Sequence, residues 1–128
     1  MAQRILSIVG TAYRGTVEEQ DDTILWLTHM LKTGGLDITV LLRTSAVNYA
    51  VRGQDAAGLH FGAATVEHPP ALDTDLAGLM DHGVPVLYVE DDAAALGLGA
   101  DRMIDGVEAV PMRDVAELCG GFEQVWHW

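Results

Sequence analysis

The sequence is poor in thiols, because Cys119 is the single cysteine among 128 residues. One cysteine cannot form an internal disulfide, so the disulfide scaffolds typical of small secreted proteins are excluded. Hydrophobic residues make up 49 % of the chain, and a chain of this length can bury a hydrophobic core without cross-links. We therefore expect one globular domain and a location in the reducing cytoplasm.

Positive charge is also scarce. Seven Lys and Arg residues face nineteen Asp and Glu residues, which gives a formal net charge of −12. The arginines are scattered, and Lys32 is the single lysine. Such a surface repels a phosphate backbone and anionic lipid headgroups. We expect no direct contact with nucleic acid or membrane, and the simplest role of the acidity is solubility.

Long apolar runs and the common catalytic motifs are missing as well. No run approaches the ~20 apolar residues of a membrane-spanning helix. The G-x-G-x-x-G and G-x-x-x-x-G-K-[ST] phosphate motifs, the G-x-S-x-G elbow and the H-x-x-x-H and H-E-x-x-H spacings do not occur. Nucleotide binding therefore has little support, and we expect no cofactor and no metal centre.

The sequence instead contains a regular alternation of strand-like and helix-like segments. Short β-rich apolar runs predict five strands, over residues 4–10, 38–42, 84–89, 107–110 and 122–128. Apolar residues at helical spacing predict five helices, over about 16–33, 46–52, 72–81, 90–97 and 111–118. The acidic run Glu90–Asp92 is expected to cap the fourth of these helices. Residues 53–70 are predicted to form a long loop that is irregular or partly helical.

Strands that are separated by helices need crossover connections, which produce a mainly parallel sheet. The nearly continuous apolar run Ile38–Leu42 is typical of a strand covered on both faces. We therefore predict the α/β class: a single three-layer α/β/α domain over residues 1–128, with a mainly parallel sheet of about five strands and a flavodoxin-like outline.

Ligands of open parallel sheets bind beyond the carboxyl ends of the strands. This rule selects the loop after the first strand, the segment after Leu42, the acidic turn after the third strand, and the segment around Pro111. Arginines beside helix N-termini there could hold an anion, or could simply pair with neighbouring acids. The predicted ligand-binding residues are Tyr13, Arg14, Arg43, Asn48, Tyr49, Glu90 and Asp91.

Cys119 is the single candidate for a catalytic thiol. It ends the last predicted helix and precedes the last strand, which places it at the amino edge of the sheet, away from the ligand crevice. The negative end of the helix dipole also opposes thiolate formation there. A small buried cysteine is the simpler interpretation, and a reactive thiol stays the alternative.

Two tryptophans, Trp126 and Trp128, lie at the end of the sequence. Terminal residues are usually polar and loosely held, so two indoles indicate a segment that is packed against something. They could pack into the core of the domain or into a subunit interface, where Trp is enriched. We expect the interface.

Several segments together resemble the DsrE/DsrF/DsrH superfamily of small sulfur-relay proteins. Ile8–Tyr13 and the helix after it are similar to the superfamily's opening strand, loop and helix. Ile38–Leu42 followed by Ala46–Ala50 resembles its second strand and short helix, and Gly83–Leu98 resembles its third strand and the segment beyond. The ending Glu117–Trp128 is most similar to the DsrH type. The resemblance covers nearly the whole chain.

The resemblance implies a domain that assembles into trimers or hexamers and carries persulfide sulfur on a cysteine just after the third strand. The corresponding residues here are Glu90, Asp91 and Asp92, and a carboxylate cannot carry that sulfur. We therefore expect a non-catalytic oligomeric subunit or binding protein of the sulfur-relay superfamily. Its protein partners would be further copies of itself or thiol-bearing members of the family. Any activity would be sulfur transfer.

Two other functions stay open. One is a sulfurtransferase that uses Cys119. The other is a protein that binds a small ligand or a metal in the crevice at the strand ends. His60, Glu67 and His68 share the long loop and could also meet around a metal.

Overall fold

The computed structural model describes residues 3–12, 23–54, 59–66 and 71–128. The predicted site residues Tyr13 and Arg14 lie outside these ranges, as do the first turns of the helix predicted from residue 16. Glu67 and His68 lie outside them too.

The described chain alternates strands and short helices as predicted. In chain order the elements are β1 (Arg4–Val9), α1 (Thr23–Thr33), β2 (Asp37–Leu42), a 3-10 helix (Thr44–Ala50), β3 (Leu59–Phe61), β4 (Ala64–Val66), α2 (Leu72–Asp81), β5 (Val86–Val89), α3 (Glu90–Ala95), a 3-10 turn (Ala100–Arg102), β6 (Glu108–Val110), a 3-10 turn (Met112–Asp114), α4 (Val115–Gly120) and β7 (Gln124–His127). Among the described helices, none has the length and apolar character needed to cross a lipid bilayer.

The main sheet has five strands in the order β6-β5-β2-β1-β7, and every neighbouring pair is parallel. Ile5 of β1 pairs with Ile38 of β2 on one side and with Gln124 of β7 on the other. The predicted α/β class and the parallel five-stranded sheet are thereby confirmed.

The described part of segment 53–70 differs from the prediction. It forms an antiparallel hairpin in which β3 pairs with β4 and Phe61 faces Ala64 across the turn. Gly62 adopts a φ of 62° in this turn, a left-handed conformation that glycine adopts without a steric penalty. The prediction of an irregular or partly helical segment is wrong here, because a turn glycine between two short β-forming runs allows local strand pairing.

Both faces of the sheet are covered, which explains the continuous apolar run of β2. On the first face, side chains such as Val40 and Leu42 pack with α1, α2, α3 and the 3-10 helix over Thr44–Ala50. On the second face, Leu6 and Leu41 pack under α4 with other apolar residues. Each fully buried aliphatic side chain contributes roughly 1.5–3 kcal/mol, so this double burial is the main stabilisation of the domain.

Candidate functional site

The connections between the strands change face once along the sheet. The helix that follows β5 is α3, and its Ala93 packs in the first-face core. The helix that follows β6 is α4, and its Val115 and Leu118 pack on the second face. The connections that follow the adjacent strands β5 and β6 therefore run over opposite faces of the sheet. This change of face lies at the carboxyl edge of the sheet, where ligands of open α/β sheets bind.

A cavity of about 280 Å³ lies between the turns that follow β5 and β6, where the connections switch from one face to the other. We call it the switch-point crevice; its lining residues are Glu90, Asp91, Ala94, Pro111 and Arg113. Glu90 and Asp91 belong to the predicted ligand residues. Arg113 does not, although the strand-end rule had selected its segment. The signal that could have identified it is its position three residues after the end of β6, since that strand end borders the crevice.

The acidic turn after β5 ties neighbouring loops together. The Asp91 carboxylate accepts a hydrogen bond from the backbone N–H of Met112 at 2.7 Å. The Asp92 carboxylate accepts one from the backbone N–H of Thr44 at 2.8 Å. No side chain caps α3, so the predicted capping role is wrong. The reason is that N–H groups from the loops after β2 and β6 reach these carboxylates and need a partner.

The other predicted site residues within the described ranges make contacts inside the protein. Nε of Arg43 lies 3.7 Å from Oδ2 of Asp92, and the Asn48 side-chain amide donates to the Ser45 carbonyl at 2.9 Å. Tyr49 is 0 % exposed and belongs to the first-face core, so its side chain presents no surface to a ligand. Of the predicted set, Glu90 and Asp91 line the switch-point crevice.

The charge of Glu90 also affects a neighbouring strand residue. Burial raises the pKa of the Tyr88 hydroxyl above its ordinary value of 10.0, and the Glu90 carboxylate raises it further. Both effects disfavour the tyrosinate, the first by removing water and the second by repulsion between like charges. Tyr88 is therefore neutral at physiological pH.

The other half of the carboxyl edge is tightly packed. The N–H of Gly10 donates to the Trp128 carbonyl at 3.1 Å, and the Thr44 hydroxyl donates to the Gly10 carbonyl. A Cβ at position 10 would lie 3.3 Å from Nε2 of His127. Glycine at this position lets the ends of β1 and β7 approach closely.

Cys119 lies towards the amino edge of the sheet, whereas the switch-point crevice lies at the carboxyl edge. It is half-buried in α4 and packs against the second-face cluster. Two residues later the Gly121 carbonyl accepts a hydrogen bond from the Arg4 guanidinium at 2.9 Å, and Arg4 begins β1. The thiol is thus near the amino edge of the sheet, where the sequence places it.

The two C-terminal tryptophans are held by the domain. Both are half-buried and pack against the first-face core, and their rings meet edge to face at 6.4 Å between centroids. Nε1 of Trp128 donates to the Ser7 hydroxyl at 3.0 Å. Packing within the chain therefore accounts for part of their burial, and an interface role stays a prediction.

In the part of the chain that the structure describes, no group of side chains is arranged to bind a metal ion. No three His, Cys, Asp or Glu side chains come together there in a way that could hold an ion. The loop histidine His60 instead lies 3.3 Å from the Thr65 hydroxyl across the hairpin.

The sheet order and the cavity define an open α/β domain with a crevice at its strand ends. No protein-family model matches the chain, and no curated protein matches it in sequence. Solved structures do match. The ychN protein from E. coli shares 22 % sequence identity, with 98 % of this chain and 99 % of that chain covered and a TM-score of 0.75. MTH1491 from Methanobacterium thermoautotrophicum, described as a protein of unknown function, shares 16 % identity, with 97 % and 98 % covered and a TM-score of 0.64.

At these identities the likeness shows the fold. The whole domain, from the first strand to the last, is shared with both proteins. The DsrE-like family and the DsrH type are therefore part of the proposed function.

Proposed function

We propose that this chain is a DsrE-like binding subunit, nearest to the DsrH type, which carries no sulfur at its strand-end turn and binds its ligand in the switch-point crevice. The shared fold of the two solved structures supports the DsrE-like architecture. The composition of the turn after β5 supports the non-catalytic role, since Glu90, Asp91 and Asp92 stand where the resemblance calls for a persulfide cysteine.

The observation that carries the proposal is that the Asp91 and Asp92 carboxylates both accept hydrogen bonds from backbone N–H groups of other loops. The donors are Met112 and Thr44, respectively. The turn thus joins the ends of β2, β5 and β6 through charge-assisted hydrogen bonds, which are stronger than neutral ones. A turn built in this way holds the walls of a binding crevice in place, and its carboxylates supply no nucleophile for sulfur.

The position of Cys119 agrees with this proposal. Its side chain is half-buried under the second face, at the opposite edge from the switch-point crevice. Reactive cysteines usually sit in exposed, electropositive surroundings, and α4 carries Glu117 in its first turn. The alternative function is sulfur transfer through this thiol, and sulfur loading distinguishes the two.

Sulfur loading tests the proposal directly. The native protein is incubated with a low-molecular-weight persulfide donor, alkylated and analysed by intact-mass spectrometry, with Cys119→Ser as the blank. We expect no sulfur adduct on the native protein. The urea-unfolded protein, in which Cys119 is exposed, is expected to react and shows that the donor is competent. A sulfur adduct on native Cys119 would overturn the non-catalytic proposal.

We also propose that the subunit acts in an assembly, as a homotrimer or homohexamer or beside thiol-bearing relatives. Trp26 and Met30 of α1 are four positions apart and 54 % and 48 % exposed, and adjoining exposed apolar side chains are a common feature of protein interaction surfaces. Size-exclusion chromatography with light scattering measures the mass of the purified chain. A monomer that also fails to bind a thiol-bearing relative would contradict this part of the proposal.

A further inference from the structure

The switch-point crevice contains two opposite charges that are not paired with each other. Glu90 and Arg113 line the same cavity, yet the ion pairs of the described residues join Arg43 to Asp92 and Arg52 to Asp105. Within the described ranges, neither Glu90 nor Arg113 forms a side-chain hydrogen bond or an ion pair. One carboxylate and one guanidinium therefore face this cavity without a protein partner in the described chain.

The third charged residue of the crevice has a different role. Asp91 accepts the Met112 N–H at 2.7 Å and so ties the turn after β5 to the turn after β6. Pro111, with a φ of −62°, stiffens the second wall because its ring locks this torsion. The backbone positions that carry Glu90 and Arg113 are thus held in place before any ligand arrives, which lowers the entropic cost of binding.

We propose that the switch-point crevice binds a small zwitterion of the α-amino acid class. The inference rests on the proposed function, since it specifies the ligand of that binding site. The Glu90 carboxylate accepts the ligand's ammonium group, and the Arg113 guanidinium donates to the ligand's carboxylate through its planar fork. Ala94 leaves space for the ligand's side chain.

Charge and volume select this class over simpler ions. A simple anion would be repelled by the carboxylates of Glu90 and Asp91 and by the net charge of −12 on the chain. A simple amine would carry no acceptor for the Arg113 guanidinium. The cavity of about 280 Å³ is near the lower limit of about 300 Å³ for ordinary ligand pockets. It therefore suits a single amino acid better than a nucleotide or a larger metabolite.

The test is a titration of the full chain, isotope-labelled for NMR, with L-alanine. Ethylamine and propionate are the matched probes that carry the ammonium or the carboxylate alone. We expect saturable shifts of the Glu90, Asp91, Ala94, Met112 and Arg113 amide signals with L-alanine, and weaker binding of each single-charge probe. The absence of such shifts at millimolar L-alanine, or binding of ethylamine or propionate as tight as that of L-alanine, would overturn the proposal.

Two isosteric variants test which protein residue recognises which charged group of the ligand. Arg113→Gln and Glu90→Gln should each weaken L-alanine binding roughly tenfold or more, the loss expected when a charge-assisted bond is removed. Arg113→Gln should also abolish the preference for L-alanine over ethylamine, whereas Glu90→Gln should abolish the preference over propionate. Because both residues are exposed, neither substitution removes core packing, and unchanged urea midpoints would show that the variants are folded.

The controls are Arg102→Gln and Glu117→Gln, which remove exposed charges outside the switch-point crevice and should leave binding unchanged. Equal losses in these controls would mean that only the overall charge matters and would overturn the assignment. A sulfur adduct on Cys119 in the loading experiment would overturn the non-catalytic role without altering this titration, so the two proposals fail in distinguishable ways.

Discussion

The carboxylate of Asp92 accepts a hydrogen bond from the backbone N–H of Thr44 at 2.8 Å, although the two residues are 48 positions apart in the sequence. Thr44 has a φ of 49°, a left-handed conformation that is uncommon for a β-branched residue. The bond to Asp92 and the bond from the Thr44 hydroxyl to the Gly10 carbonyl hold the residue in this conformation. The end of β2 is therefore shaped by the turn after β5.

Loss of the Asp92 carboxylate should destabilise the domain. We expect Asp92→Ala to lower the free energy of unfolding by roughly 1.5–3 kcal/mol, the range for a hydrogen bond to a charged group, measured by urea denaturation. The matched control is Asp105→Ala, which removes an ion pair with Arg52 at 2.7 Å. The Arg52 and Asp105 side chains are 52 % and 93 % exposed. An exposed pair contributes about 0–1 kcal/mol, so equal losses would contradict the role given to Asp92.

Alkaline pH should destabilise the protein through Tyr88. Its folded-state pKa is raised above 10.0 by burial and by Glu90, so the folded state holds this proton more tightly than the unfolded state does. The resulting stability is fully present below pH 10 and is lost as the pH rises through the higher pKa of the folded state. Urea midpoints measured across this range check the trend.

Two substitutions test whether Tyr88 causes the loss of stability at alkaline pH. Tyr88→Phe should flatten the part of the pH profile that Tyr88 contributes. Glu90→Gln should move the tyrosinate absorbance transition of Tyr88 towards lower pH, because the repelling charge is gone. A profile that is the same in Tyr88→Phe and in the unmodified protein would show that another group titrates.

Two glycines should respond to alanine in opposite directions. Gly78 lies inside α2, and a Cβ there meets no atom within 4 Å. Gly78→Ala should therefore stabilise by roughly 0.5–1 kcal/mol through helix propensity. Gly106 has a φ of 97°, and a Cβ there would lie 3.0 Å from the Met80 sulfur. Gly106→Ala should destabilise by at least about 1 kcal/mol, and thermal or urea unfolding of both variants tests the pair.

A buried leucine and an exposed tryptophan should separate core packing from assembly. Leu76 of α2 is 0 % exposed, so Leu76→Ala should cost roughly 2–5 kcal/mol. Trp26 is 54 % exposed, so Trp26→Ala should change the stability of a monomer much less. Light scattering on Trp26→Ala then reports whether this indole contributes to an oligomer, and an unchanged mass would show that it does not.

Local periodicity determined most of the fold in advance. Helix α2 spans Leu72–Asp81, the range that its spacing of apolar residues predicts, and every predicted strand is present in the parallel sheet. These signals depend on residues a few positions apart. The hairpin over Leu59–Val66 was not predicted, because two three-residue strands are too short to show a period.

The candidate site was predictable only in outline. The strand-end rule points to the edge of the sheet where the switch-point crevice lies and to Glu90 and Asp91, which line it. It also points to Tyr49, which is buried in the core. Arg113 entered the site because β6 happens to be the strand after which the chain changes face.

The alternation of apolar runs, glycines and helical spacing by itself determined an α/β domain with a parallel sheet, since each signal arises within one turn or one strand. The tertiary structure alone decided that the Asp91 carboxylate accepts a hydrogen bond from the Met112 N–H and the Asp92 carboxylate one from the Thr44 N–H. It also decided that Glu90 and Arg113 line the same cavity. Those contacts join segments brought together by strand order, and strand order depends on the packing of the whole sheet.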